Sequence, residues 1–165
     1  MPFYRFEVDS PLPPHAVAER IRGIRRDPPG FWASIREPFG PRSAGAPPFV
    51  GTLEGDAFRF VRAIRYRNSF LPRIRGRIAA APTGTRVYVT MHLHPAVALF
   101  MAFWLCGVGF GVVAVLMEPG GPSPAALLPA GMLAFGVILT VGGFFPEAIK
   151  ARRLLERAVG SAADR

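Results

Sequence analysis

Residues 95–117 read PAVALFMAFWLCGVGFGVVAVLM, and residues 125–145 read AALLPAGMLAFGVILTVGGFF. Neither run holds a charged side chain. As α-helices the two would span about 34 Å and about 31 Å, against a bilayer hydrocarbon core of about 30 Å. Between them, Glu118-Pro-Gly-Gly-Pro-Ser-Pro124 is a turn signal. Pro95 and Pro124 suit the first turn of a helix, where a missing N–H costs nothing, and Ser123 suits the N-cap of the second. The pair reads as a transmembrane hairpin. The competing reading is two buried helices of a soluble core. A chain of 165 residues has too little else to surround two helices that are apolar all round, so the membrane reading is preferred.

The charges outside these runs orient the hairpin. Residues 1–94 hold 15 arginines and 7 acids, residues 95–146 hold one acid, Glu118, and no base, and residues 147–165 hold 5 bases and 3 acids. Both flanks are therefore basic, the connecting turn is not, and the whole chain carries +9. The positive-inside rule then puts both termini in the cytoplasm and the hairpin tip outside, which predicts a multi-pass protein of the cell inner membrane. No apolar run follows a basic start at the head of the chain, so no signal peptide is expected and the first 94 residues should stay where they are made. The single cysteine, Cys106, excludes a disulfide framework and a cysteine-based zinc site. Nineteen arginines stand against one lysine, Lys150, as much a mark of GC-rich coding as of selected chemistry.

The expected fold class is α+β, with three parts. Residues 1–94 form a cytoplasmic antiparallel sheet with one or two packing helices, 95–145 form the hairpin, and 146–165 form a cytoplasmic amphipathic helix and tail. Tyr4, Phe6 and Val8 alternate with Arg5 and Glu7, as on a strand. A helix over 15–26 carries Val17, Ile21 and Ile24 on one stripe, and Asp27-Pro-Pro-Gly30 stops it. Six of residues 27–48 are prolines; Phe31, Trp32, Ile35 and Phe39 among them either cover the core or meet the membrane interface. Residues 49–53 and 57–62 read as a hairpin around Glu54-Gly55-Asp56. In 73–80, Ile74, Gly76 and Ile78 face opposite to Arg73, Arg75 and Arg77. In 86–93, Val87, Val89, Met91 and Leu93 face the core, and Tyr88, Thr90 and His92 face away. The sheet is thus apolar on one face and wet on the other. The tail carries an Ala148, Ala151, Leu155, Ala158 stripe, for packing on the sheet or lying along the membrane.

The run Arg62-Ala-Ile-Arg-Tyr-Arg-Asn-Ser-Phe-Leu-Pro72 is followed by Gly76, preceded by Phe49-Val-Gly51, and leads through Met91-His-Leu-His94 into the first apolar run. Over residues 49–117 it resembles a group of small bacterial membrane proteins with an Asn-Ser-Phe-Leu-Pro-type motif ahead of a transmembrane hairpin. That resemblance implies architecture and no activity. In it Asn68, Ser69, Phe70, Leu71, Pro72 and Gly76 form a structural motif. More loosely, the order strand, helix, strands, final helix is similar to a reduced START-type or PH-like domain.

Arg73, Arg75 and Arg77, joined by Arg59, Arg65 and Arg67, are the candidate site for an anionic lipid headgroup or phosphate. The competing reading is a solvated sheet face in an arginine-rich chain. Nucleic acid would use the same charges, but no nucleic-acid motif accompanies them. His92 and His94 have no Cys or acid nearby to complete a metal site. Catalytic-triad, HExxH and phosphate-loop signatures are absent, so no catalytic residue, metal or cofactor is expected, and Asn68 and Ser69 read as turn residues. Gly107 and Gly111 on the first span offer close packing to the second helix or to another subunit. The expected role is a non-enzymatic scaffold that binds membrane lipids, a protein partner or a second copy. The alternative is a membrane-bound enzyme or lipid-handling protein with a pocket in the cytoplasmic domain.

Overall fold

The computed structural model describes residues 2–28, 46–64, 66–118 and 124–160. The aromatic segment holding Phe31, Trp32, Ile35 and Phe39 lies outside these described residues, as do Arg65, the turn 119–123 and the tail 161–165. The elements are β1 (Phe3–Ser10), α1 (Pro14–Gly23), β2 (Arg25–Arg26), β3 (Phe49–Glu54), β4 (Ala57–Arg62), β5 (Arg73–Ala81), β6 (Gly84–His92) and α2 (Pro95–Leu116). A 3₁₀ turn at Pro124–Ala126 then leads into α3 (Leu127–Gly160).

The strands form one sheet in the order β1-β6-β5-β4-β3-β2. The expected antiparallel sheet is found in four of its pairings, but β2 runs parallel to β3, so the sheet is mixed. A strand of two residues is too short to show alternation in sequence. It also takes residues 25 and 26 from the expected helix, which ends at Gly23, a poor helix former. The Phe49 N–H then donates to the Ile24 carbonyl at 3.2 Å, tying β3 to the end of α1.

The core lies on one sheet face. Register aligns Tyr4, Met91, Ile74 and Phe60 across four strands, and Phe6, Val89, Gly76 and Phe58 one step along. The Phe58 ring covers Gly76 so closely that a Cβ there would stand 2.0 Å from Cζ. Phe58 and Phe60 stack at 4.8 Å, and Phe60 stacks in turn on Phe49 at 5.8 Å. Val17 and Ile21 of α1 and Phe144, Ala148, Ala151, Leu155 and Val159 of α3 close the core from above.

The second apolar run and the amphipathic tail form one helix of 34 residues that continues through Pro146. The tail packs on the sheet, which settles the choice left open by its sequence. The Ser10 hydroxyl donates to the Val159 carbonyl at 2.9 Å, and Arg152 donates to the Tyr4 hydroxyl at 2.6 Å. The Arg152 guanidinium also lies 5.3 Å above the Phe6 ring. Since residue 152 meets the start of β1 and residue 159 meets its end, α3 runs along the strands. Its apolar half therefore projects beyond the sheet edge marked by Phe3 and His92, and α2 leaves from that same edge.

Both helices are apolar and long enough to cross a bilayer. Their side chains are mostly bare: Phe103, Phe110 and Leu127 are 79%, 76% and 75% exposed. Core helices of a soluble protein would be covered. The helices meet at Gly136, where a Cβ would come within 3.1 Å of Leu105 and 3.5 Å of Trp104. Gly111 approaches Pro129 at ordinary contact distance, while the space beside Gly107 is open.

Candidate functional site

The outer face of the sheet presents its side chains in rows set by register. The row nearest the exit of the helices holds Phe3, His92, Arg73 and Val61. The next holds Arg5, Thr90, Arg75, Arg59 and Thr52. Beyond it come Glu7, Tyr88, Arg77, Ala57 and Glu54, and last Asp9, Arg86 and Ala79. The strand period of two, read in sequence for Arg73, Arg75 and Arg77, is what brings them to one face.

Charge is unevenly distributed over these rows. In the far half the arginines are paired. Arg77 donates to Asp56 at 2.8 Å, and Arg86 donates to Asp9 at 2.6 Å with Glu7 at 3.8 Å. The hydrogen bond from Arg86 holds the Asp9 carboxyl below its usual range, and Arg77 does the same to Asp56. In the near half, Arg5, Arg59, Arg73 and Arg75 are exposed, and no acid pairs with them among the described residues. Arg59 and Arg75 are direct cross-strand neighbours, an arrangement of like charges that disfavours the sheet. The expected row is thus divided: Arg59, Arg73 and Arg75 stay together, Arg77 belongs to the paired half, and Arg67 sits on the loop before β5. Arg5 is the member sequence reasoning missed. Its signal was its place opposite Tyr4 and Phe6 on β1, but only register brings β1 beside this face.

The segment between β4 and β5 docks the sheet onto α3. Asn68 Oδ1 accepts from the Phe70 N–H at 2.9 Å, holding the turn, and Asn68 Nδ2 donates to the Gly143 carbonyl at 2.8 Å. That carbonyl neighbours the one at Gly142 which Pro146 deprives of its helical donor. Phe70 lies against Gly143, where a Cβ would come within 2.9 Å of it. Ser69 is exposed, Leu71 half-buried and Pro72 buried.

One turn further along α3, the buried Glu147 carboxylate accepts from Arg62 at 2.5 Å, from the Tyr66 hydroxyl at 2.6 Å and from Lys150 at 3.1 Å. Burial pushes this carboxyl up, but the hydrogen bonds of Tyr66 and Lys150 and the charges of Arg62 and Lys150 prevail and hold it below its usual value. Tyr66 is raised, chiefly by its hydrogen bond to Glu147. Sequence reasoning missed this cluster. Its signal was an acid placed between Gly143 and Ala151 on the stripe that the helix buries.

The two histidines serve the backbone. His92 Nδ1 donates to the Leu93 carbonyl at 2.9 Å, and His94 Nδ1 accepts from the Ala96 N–H at 3.1 Å as the N-cap of α2. Among the described residues no group of three metal-ligating side chains occurs. An open depression of about 600 Å³, lined by Asp9, Ser10, Pro82, Thr83, Thr85 and Arg86, lies at the end of the sheet remote from the apolar helices.

No protein-family model matches the chain, and a search of curated proteins found no match. Among solved structures, the crystal structure of the di-domain ARO/CYC BexL from the BE-7585A biosynthetic pathway is similar over 99% of this chain at 13% identity, with a TM-score of 0.37. The chain spans 50% of that protein's length. A likeness at this score bears on neither activity nor ligand.

Proposed function

We propose that the chain is an integral protein of the cytoplasmic membrane. In this reading α2 and the apolar half of α3 cross the bilayer, both termini and the sheet stay on the cytoplasmic side, and the sheet is a non-catalytic module for an anionic partner. One observation carries it: two bare apolar helices leave the sheet from the edge that bears the arginines without an acid partner among the described residues. Exposed apolar cylinders of this length need lipid around them. Inserting them brings the near arginines to the headgroup level, where anionic lipids attract basic side chains. The enzyme alternative requires a chamber between sheet and helices. Phe49, Phe58, Phe60 and Phe144, all buried, fill that space. Alkaline carbonate extraction of membranes from expressing cells is the test. The protein is expected to stay in the pellet, and release into the supernatant would overturn the reading.

A further inference from the structure

We infer that Arg5, Arg59, Arg73 and Arg75 form a binding site for the phosphate of an anionic phospholipid headgroup. The inference rests on the membrane reading above and goes further, naming the ligand and its residues. Arg59 and Arg75 stand opposite each other on β4 and β5, with side-chain origins about 5 Å apart. Arg73 lies one step toward the helices, about 7 Å along β5, and Arg5 lies two strand spacings from Arg75, about 10 Å. These separations let flexible guanidinium groups converge on one or two phosphates. Thr90, between Arg5 and Arg75, adds a hydroxyl donor to the same row.

The contrast between the two halves of the face points to the ligand. Arg77 and Arg86 have acids in the chain itself, at Asp56, Asp9 and Glu7. The near four have none among the described residues, and Arg59 and Arg75 repel each other across the ladder. A phosphate between them replaces that repulsion with charge-assisted hydrogen bonds. The occupant is a lipid because the site adjoins the edge from which both apolar helices leave. Phe3, 58% exposed on the row nearest that edge, is placed to enter the acyl boundary beside the headgroup.

Each basic side chain near an anionic surface strengthens binding by roughly fivefold. The test uses the full chain, extracted in mild detergent from vesicles of phosphatidylcholine with phosphatidylglycerol or cardiolipin and analysed by native mass spectrometry. Replacing Arg5, Arg59, Arg73 and Arg75 by Gln together is expected to lower retained anionic lipid by at least tenfold. R77Q with R86Q should leave it unchanged, and phosphatidylcholine retention should be the same in all. If the fourfold variant does not accumulate, R59Q with R75Q carries the test, with at least a fivefold loss expected. Equal retention in the near-half and far-half variants overturns the site, as does displacement of the lipid by millimolar inorganic phosphate. A failed site leaves the protein carbonate-resistant, whereas a failed membrane reading releases it, so the two failures are distinct.

Discussion

The Glu147 carboxylate of α3 accepts a 2.5 Å hydrogen bond from the Arg62 guanidinium of β4, a residue 85 positions earlier. Their side chains are 3% and 14% exposed, so water screens the pair little. Between the two residues lie β5, β6, α2 and the apolar half of α3. The pair closes the sheet onto the helix at the point where the helix leaves it.

Removing one partner strands the other as a buried charge. Glu147→Ala is expected to cost roughly 3 kcal/mol. Replacing both together, as Arg62→Met with Glu147→Leu, should cost less than Glu147→Ala alone, because no buried charge is then stranded and Lys150, the remaining charged partner, is exposed. Thermal unfolding of the detergent-solubilised protein, followed by circular dichroism, measures both. A double variant no more stable than Glu147→Ala would contradict the pairing.

Acid should loosen the same junction. The folded Glu147 carboxyl lies below its ordinary value, so its contribution is complete above about pH 4.3, the usual glutamate pKa. That contribution is lost as pH falls through the lowered folded value, where the carboxyl protonates and the Arg62 pairing ends. Tm is expected to fall as pH drops from about 4.3 toward that lowered value, more steeply in the wild type than in Glu147→Gln. Parallel Tm curves for the two proteins would contradict the assignment.

The contact between Phe70 and Gly143 should behave as a coupled pair. A methyl at residue 143 would sit 2.9 Å from Phe70, so Gly143→Ala is expected to cost about 1–2 kcal/mol. In a Phe70→Ala background the same substitution should cost far less. Ser69→Ala, at an exposed position, should stay within about 0.5 kcal/mol. A full Gly143→Ala penalty without Phe70 would place its cost elsewhere.

Topology can be read directly. A reporter active only in the periplasm should be active when placed between Glu118 and Pro124 and silent when fused behind Arg165. Reversed activities would overturn the orientation drawn from the arginine flanks.

Much of this architecture was legible because its signals are local. Alternation from Ile74 to Ile78 and from Val87 to Met91 gave the strands, and the charge-free runs gave the long helices. The divided arginine face was half legible. Spacing put Arg73, Arg75 and Arg77 together, but pairing Arg77 with Asp56 depends on a turn between other strands, and adding Arg5 depends on β1 pairing with β6. Glu147 had a local signal in its place on the stripe that the helix buries, but its partners Arg62 and Tyr66 were not legible, being supplied from 85 and 81 positions away. The parallel strand β2 escaped because its two residues hold no period.

The helix that finishes the core follows every strand of the sheet in the sequence. When residues 1–94 have left the ribosome, α1 alone among the described residues made by then covers the apolar face of the sheet, and Phe58, Phe60 and Met91 lack the roof that Phe144, Ala148 and Leu155 later supply. Both apolar runs must be synthesised before that roof arrives. On the membrane reading proposed above, delivery into the bilayer is a step on the folding route of the sheet itself. A chain cut at residue 94 is an unfinished domain, open to aggregation through its bare face, and a fault in membrane delivery should appear first as proteolysis of the sheet.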